Sequence, residues 1–415
     1  MIRDILVVVD SIDENAGSGA KANIAFISSL NEAGYDVTVF HYSHKEIVIK
    51  NANCYQIKEI NVSLLYLLGR IIRIINRKTK HNLNEDIERY VGFSFTFFND
   101  SNSIEKSIKR LNLSKFDLVI TLSQGASFRP HHALLKIPRL HSKWLAYIHD
   151  PYPFHLYPRP YQFFKKSFLI KEKFFENMNQ KAAYFGFPSQ LLMEWMAYTF
   201  PNMKSKGMVI PHQINKQVTI PIESPTVSID PNEFNIIHSG NLTHARSPEG
   251  LIKGFLAFLK SNPLAKSHSK LLLIGPSDYS LDMLNEFAGS SSRIVFHNNS
   301  IPFNEAQQLQ EETSVNVIIE ASSSISPFLP GKFPHCVSAN KPILLLSPYY
   351  SECKRLLGDD YPYWCENQNS SCIAKAISSL YVLWEENKNN FKLNRPDLVE
   401  YCSSSYMKNA LSKTL

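Results

Sequence analysis

Two α/β domains, each a doubly wound parallel sheet, are predicted from three observations. The chain has 415 residues, too many for one compact core to be the default. Short apolar runs such as ILVVV at 5–9, FNIIH at 234–238 and PILLL at 342–346 resemble strands buried on both faces of a parallel sheet. Helical periods follow several of these runs, which is the order of a βαβ unit.

Composition narrows the class. Hydrophobic residues make up 44% and charged residues 20%, as in a globular rather than a disordered chain. No run of about 18 apolar residues is present, so a membrane span is not expected. The first apolar run is too short for a signal peptide and is followed by Asp10 and Asp13. Cys54, Cys336, Cys353, Cys365, Cys372 and Cys402 form no C-x-x-C pair and no metal-ligand spacing. They are expected to be reduced thiols of a cytoplasmic protein. A net charge of +7 suits an anionic substrate or an anionic membrane surface. No basic, aromatic-interleaved motif marks nucleic acid as a partner.

In chain order, the first strand runs into a polar loop that ends in Gly17-Ser18-Gly19. A helix follows through Ala22, Ile24, Ala25, Ile27 and Leu30, stopped by Gly34, and VTVF at 37–40 is the next strand. A glycine loop at a helix start can hold a phosphate or a sugar. The G-x-G-x-x-G dinucleotide fingerprint is absent, which disfavours NAD. In residues 64–80 the helical period puts Arg70, Arg73, Arg77 and Lys80 on one face. Leu64, Leu68, Ile71, Ile72 and Ile75 fall on the other. Such a helix either packs on the sheet with a solvated basic face or lies on an acidic bilayer. FDLVIT at 116–121 and WLAYI at 144–148 are strands, and His149-Asp150 follows the second. The C-terminal ends of parallel strands are where ligands bind in open α/β sheets. Residues 165–180 read as a basic, aromatic helix, 183–189 as a strand and turn, and 219–231 as a proline- and serine-rich linker.

The second domain opens with FNIIH at 234–238 and a loop holding Gly240, Asn241 and Arg246, before a helix from Glu249. Gly240 can let the backbone approach a phosphate, and Arg246 can supply a forked cationic contact. Strands are expected at 271–274 (ending at Gly275), 293–297 and 315–319, with Asn304 as the cap of an intervening helix. SPFLP at 326–330 cannot be regular helix, because its prolines restrict themselves and the residues before them. Gly331 and Lys332 then lead about two helical turns, which Asn340 can close in a left-handed conformation.

The segments GSGAKANIAFISSLNEAGYDVTVF, SGNLTHARSPEGLIKGF and SPFLPGKF…ANKPIL together resemble glycosyltransferases of the two-domain B-type (GT-B) fold, in particular the large retaining group called family 4. The resemblance implies two Rossmann-like domains facing a central cleft. An acceptor-side domain would span 1–213 and a nucleotide-sugar domain 214–390, with a terminal segment, 391–415, returning to the first. It also implies transfer of a sugar from a nucleoside-diphosphate sugar, with no other cofactor, to a glycan or lipid-linked acceptor in cell-surface glycan biosynthesis. His149 would touch the donor sugar, and Arg246 and Lys332 would neutralise the diphosphate. Gly17, Ser18 and Gly19 would border acceptor or sugar, and Gly240, Asn241, Gly275, Ser326, Gly331 and His335 would surround the nucleotide. The absence of a D-x-D pair agrees with a metal-free site. The protein would work in the cytoplasm or at the inner face of the cytoplasmic membrane.

Two departures stand out. Pro327 and His335 occupy the positions of two glutamates common in the group. A histidine cannot imitate the bidentate grip of a carboxylate on a ribose. The residue after Gly240, usually basic, is Asn241. A catalytically silent partner subunit and a nucleotide-sugar epimerase on the same fold are the alternative readings.

Overall fold

The computed structural model describes residues 2–79, 82–153, 167–214, 225–277, 279 and 281–414. The chain divides into two compact units. One holds residues up to 213 together with 402–414, and the other spans 214–401.

The first unit is built on a seven-stranded sheet: β1 (Asp4–Val9), β2 (Asp36–His41), β3 (Asn53–Gln56), β4 (Leu118–Leu122), β5 (Trp144–Tyr147), β6 (Tyr184–Phe187) and β7 (Gly207–Val209). Their order is β3-β2-β1-β4-β5-β6-β7, and every pair is parallel. Ile5 to Val9 are fully buried, as a central strand covered on both faces must be. Helix α1 (Ser18–Glu32) packs over β1 and β2 through Ile24, Phe26, Ile27 and Leu30. Gly34 ends it at φ +92°. The helix Ser404–Thr414 adds Met407 and Leu411 to the same core.

Between β3 and β4 lie α2 (Leu64–Thr79), α3 (Leu83–Val91) and α4 (Phe95–Lys109). Gly69 lets α2 approach the start of α4, since a Cβ there would stand 2.8 Å from Thr96 Oγ1. Of the apolar face expected for α2, Ile72 is buried, whereas Leu64 and Ile71 are 71% and 51% exposed. The period was right, but the packed strip is narrower than the apolar arc. Lys80 lies outside the described residues, as do 165–166 of the expected helix, which begins at Phe168, and 219–224 of the linker.

The second unit repeats the plan. Strands β8 (Phe234–Ser239), β9 (Ser269–Ile274), β10 (Ile294–His297), β11 (Val315–Ile319), β13 (Ile343–Leu346) and β15 (Trp364–Cys365) form a parallel sheet in the order β10-β9-β8-β11-β13-β15. Two short strands, β12 (Ile325–Ser326) and β14 (Tyr350–Ser351), pair separately. The two units thus each carry a doubly wound sheet whose order reverses beside its first strand, where ligands bind in such folds. Asn340 adopts the expected left-handed conformation, φ +53°.

Two expectations need correction. Asn304 does not cap its helix; Pro302 occupies that position and offers no side-chain acceptor. Cys365 and Cys372 are joined as a disulfide rather than free. β15 and the first turn of the helix Ser370–Glu386 bring their Cα atoms to 6.0 Å, within bonding range. Cys54, Cys336, Cys353 and Cys402 are free thiols.

Candidate functional site

In the second unit, two strand ends and one loop converge. β8 ends in His238-Ser239 and turns at Gly240, whose φ is +151°. Gly275, at the end of β9, has φ +138°, and a Cβ there would run into the Gly240 carbonyl. Both positions therefore require glycine, for conformation and for space. The Gly240 N–H donates to the Ile274 carbonyl at 2.8 Å, and Leu242 N–H donates to Pro276. These bonds fix the loop that carries exposed Asn241 and half-buried Arg246.

Lys332 reaches into this loop from the segment that follows β12. Its Nζ lies 3.3 Å from His238 Nε2, and a Cβ on Gly240 would be 2.6 Å from it. His238 is anchored through Nδ1 to the Val317 carbonyl at 3.1 Å. Burial, with the Lys332 charge added, holds His238 well below the usual histidine range, so it is neutral. Burial also pushes the Lys332 ammonium down to about 7, and the nearby Arg246 charge pushes the same way. Across the cluster, Glu320 follows β11 and is buried. Burial raises it to about 7 against hydrogen bonds from Ser326, Cys353 and Ser351 and the charge of Arg246. Ser351 Oγ donates to Glu320 Oε1 at 2.9 Å, and Asn367 Nδ2 donates to the Glu320 carbonyl. Burial likewise raises the Cys336 thiol to about 12.

The structure thus joins Gly240, Gly275, Arg246, Lys332 and Ser326, which were expected from sequence. It adds His238, which was not, and Glu320, expected only at a strand end facing the same crevice. Their only sequence signal is a polar residue in or just after an apolar strand.

Other expected members behave differently. Gly331 is exposed, and a Cβ there would meet nothing. The helix that follows, Phe333–Ser338, has six residues, too short to carry much dipole. Its Phe333 N–H already donates to Pro330, and Pro334 has no N–H. That helix end is therefore a poor anion site. His335 packs edge-on against Phe303 at 5.0 Å.

In the first unit, His149 follows β5 and is buried. Its Nε2 lies 2.9 Å from Asn23 Oδ1 on α1, and its ring stacks on His212 at 5.4 Å. Its backbone N–H donates to Ser123 Oγ. Burial and the neighbouring His212 keep it neutral. Gly19 lies against Gln124, 3.0 Å from an added Cβ to Cγ, while Gly17 and Ser18 are exposed at the α1 start. Nearby, Arg129 bridges Asp10 (2.9 Å) and Asp100 (2.7 Å). It borders a cavity of about 290 Å³, also lined by Phe93, Tyr152, Lys171 and Glu88. Among the described residues, no group of three or more His, Cys, Asp or Glu side chains could hold a metal ion.

Comparison with known proteins gives the fold its name. No protein-family model and no curated protein sequence matches the chain significantly. Solved structures do match over nearly its full length. The trehalose-6-phosphate synthase OtsA aligns with a TM-score of 0.64 at 11% identity, covering 99% of this chain and 98% of that one. A UDP-forming α,α-trehalose-phosphate synthase from Burkholderia xenovorans gives 0.59 at 13% identity, covering 100% and 98%. Anabaena HepE, solved in complex with UDP and glucose, gives 0.56 at 11% identity, covering 99% of each chain.

Proposed function

We propose that this chain, which has the GT-B fold of the glycosyltransferases it aligns with, transfers a glycosyl group from a nucleoside-diphosphate sugar to a hydroxyl of a glycan or lipid-linked acceptor. One observation carries this reading: Lys332 and Arg246 from separate loops meet at the glycine turn after β8, against neutral His238. Two cations beside a half-buried glycine-turn backbone suit a diphosphate leaving group. A UDP-sugar is the donor class favoured by the similar structures, one of which was solved with UDP and glucose.

The transfer is retaining and needs no protein nucleophile. The bond from the anomeric carbon to the diphosphate oxygen breaks as the acceptor oxygen bonds to that carbon on the same face. The acceptor proton passes to a diphosphate oxygen. Lys332 and Arg246 stabilise the charge that develops on the leaving group. The cavity beside Arg129 and Tyr152 supports an acceptor position in the first unit. The product belongs to a cell-surface glycan, assembled at the inner face of the cytoplasmic membrane.

A second reading, a silent partner subunit, is favoured by His335. The residue in place of a ribose-gripping glutamate packs on Phe303. Calorimetry with UDP and GDP, together with assays of nucleoside-diphosphate release from their sugars, tests both readings. Binding with acceptor-stimulated release supports the transferase; binding without any release supports the silent subunit; no binding overturns both.

A further inference from the structure

Helix α2 presents an apolar stripe that is exposed among the described residues of its unit. Leu64, Leu67, Ile71 and Ile74 are 71%, 55%, 51% and 52% exposed. Their spacing of three, four and three residues puts them in one line along the helix. The helix is attached by a different strip, of which Gly69 and Ile72 are fully packed, so it stands out from the unit as a ridge. Val62, just before it, is 91% exposed.

Arg70 and Arg77 flank the stripe on one side, Lys78 continues its line and Arg73 lies further round the helix, all exposed. Residues 60–84 contain no aspartate or glutamate. Among the described residues, none of these four cations forms an ion pair with a carboxylate. Arg70 instead donates to Tyr66 Oη at 2.7 Å, and Arg73 to the Gly69 carbonyl at 3.3 Å, so both run along the helix. Charge of one sign over a convex apolar ridge complements a broad anionic plane rather than a groove of mixed charge.

We propose that α2 is the membrane contact of this protein. Lying flat on an anionic bilayer, it inserts Leu64, Leu67, Ile71 and Ile74 below the headgroups and leaves its arginines among the phosphates. An amphipathic helix of this type buries its apolar side about 5–10 Å into the headgroup boundary, and each basic residue near such a surface adds attraction. This deepens the location given in the proposed function by naming the inserted residues. It requires no turnover, so the two readings can fail separately.

The test uses the full chain and sedimentation with vesicles of phosphatidylcholine alone or mixed with phosphatidylglycerol. Binding to the mixed vesicles only is expected. Leu67→Ser/Ile71→Ser and Arg70→Gln/Arg73→Gln/Arg77→Gln should each weaken it by roughly tenfold or more. All five positions are exposed, so circular dichroism should report intact folding in both variants. In an Ile71→Trp variant, emission should shift to the blue with mixed vesicles. The inference is overturned if mixed vesicles are not bound, or if the serine variant binds as well as wild type. It is overturned equally if the chain self-associates through this stripe and the serine variant abolishes that association.

Discussion

Lys332 Nζ lies 3.3 Å from His238 Nε2, so an ammonium and a buried, neutral imidazole share one part-buried corner of the second unit. Neither partner there offers the lysine a negative charge. Burial has moved it to about 7, and a bound diphosphate would supply the missing counter-charge.

Nucleotide binding should therefore take up a proton. Above pH 7 the free protein holds Lys332 largely neutral, while the diphosphate complex holds it charged. Affinity for UDP should then fall with rising pH, by up to about tenfold per unit. Below pH 7 this dependence should flatten. Calorimetry in buffers of different ionisation enthalpy measures the uptake directly, and no uptake at pH 8 would remove Lys332 from the site.

Loss of either cation should slow transfer. By analogy with losing one preorganised donor, Lys332→Ala and Arg246→Ala should each cost roughly 3 kcal/mol, about a hundredfold in rate. Lys332→Arg should restore the rate only in part, because a planar fork does not reproduce a point charge at the end of a flexible stem. Turnover and donor affinity, measured together, decide this. Changes below threefold in both alanine variants would point to surface roles.

Gly240→Ala should abolish nucleotide binding without unfolding the sheet. The new methyl would stand 2.6 Å from Lys332 Nζ at φ +151°, a conformation other residues rarely adopt. A thermal scan with and without UDP separates lost binding from lost fold.

His149 is tied to Asn23 across the first unit. His149→Ala strands a buried amide oxygen and should lower the unfolding free energy by about 1–3 kcal/mol. It should also impair turnover more than UDP binding. Asn23→Leu should cost a similar amount, and the double variant little more than either alone. Fully additive losses in urea unfolding would show that the two residues do not share this bond.

Acid should destabilise the protein from pH 6.5 downward. His131 and His132 are pushed by burial to about 3, and His149 and His238 also lie well below 6.5. Each binds a proton in the unfolded chain before it does in the folded one, so each removes about 1.4 kcal/mol per pH unit below 6.5, down to its own folded value. Glu320, raised to about 7, opposes one of them until about pH 4.5. Urea midpoints across this range test the balance. A midpoint independent of pH between 6.5 and 5 would contradict it.

The central strands were legible because residues such as Ile5 to Val9 are apolar on both faces, in runs too short for a helix. β3, with its Asn-Cys-Tyr-Gln alternation at the sheet edge, was hidden by short length and mixed character. In α2 the period was readable, but which part of a wide apolar arc would be packed was decided by Gly69 meeting Thr96, a contact across 27 residues. Within the site, Gly240 and Lys332 carried signals of their own. His238 and Glu320 did not, since their importance arises only where β8 and β11 lie side by side.

The helix Ser404–Thr414 places Met407 and Leu411 in the core formed by β1, β2 and α1. The first unit is thus interrupted in sequence by the whole of the second. During synthesis, the second unit can reach its native state as soon as its own residues emerge. The first must wait with part of its apolar core uncovered until residues 404–414 have left the ribosome. Domain-by-domain folding from the N-terminus, the usual order on a growing chain, is reversed here at the final step.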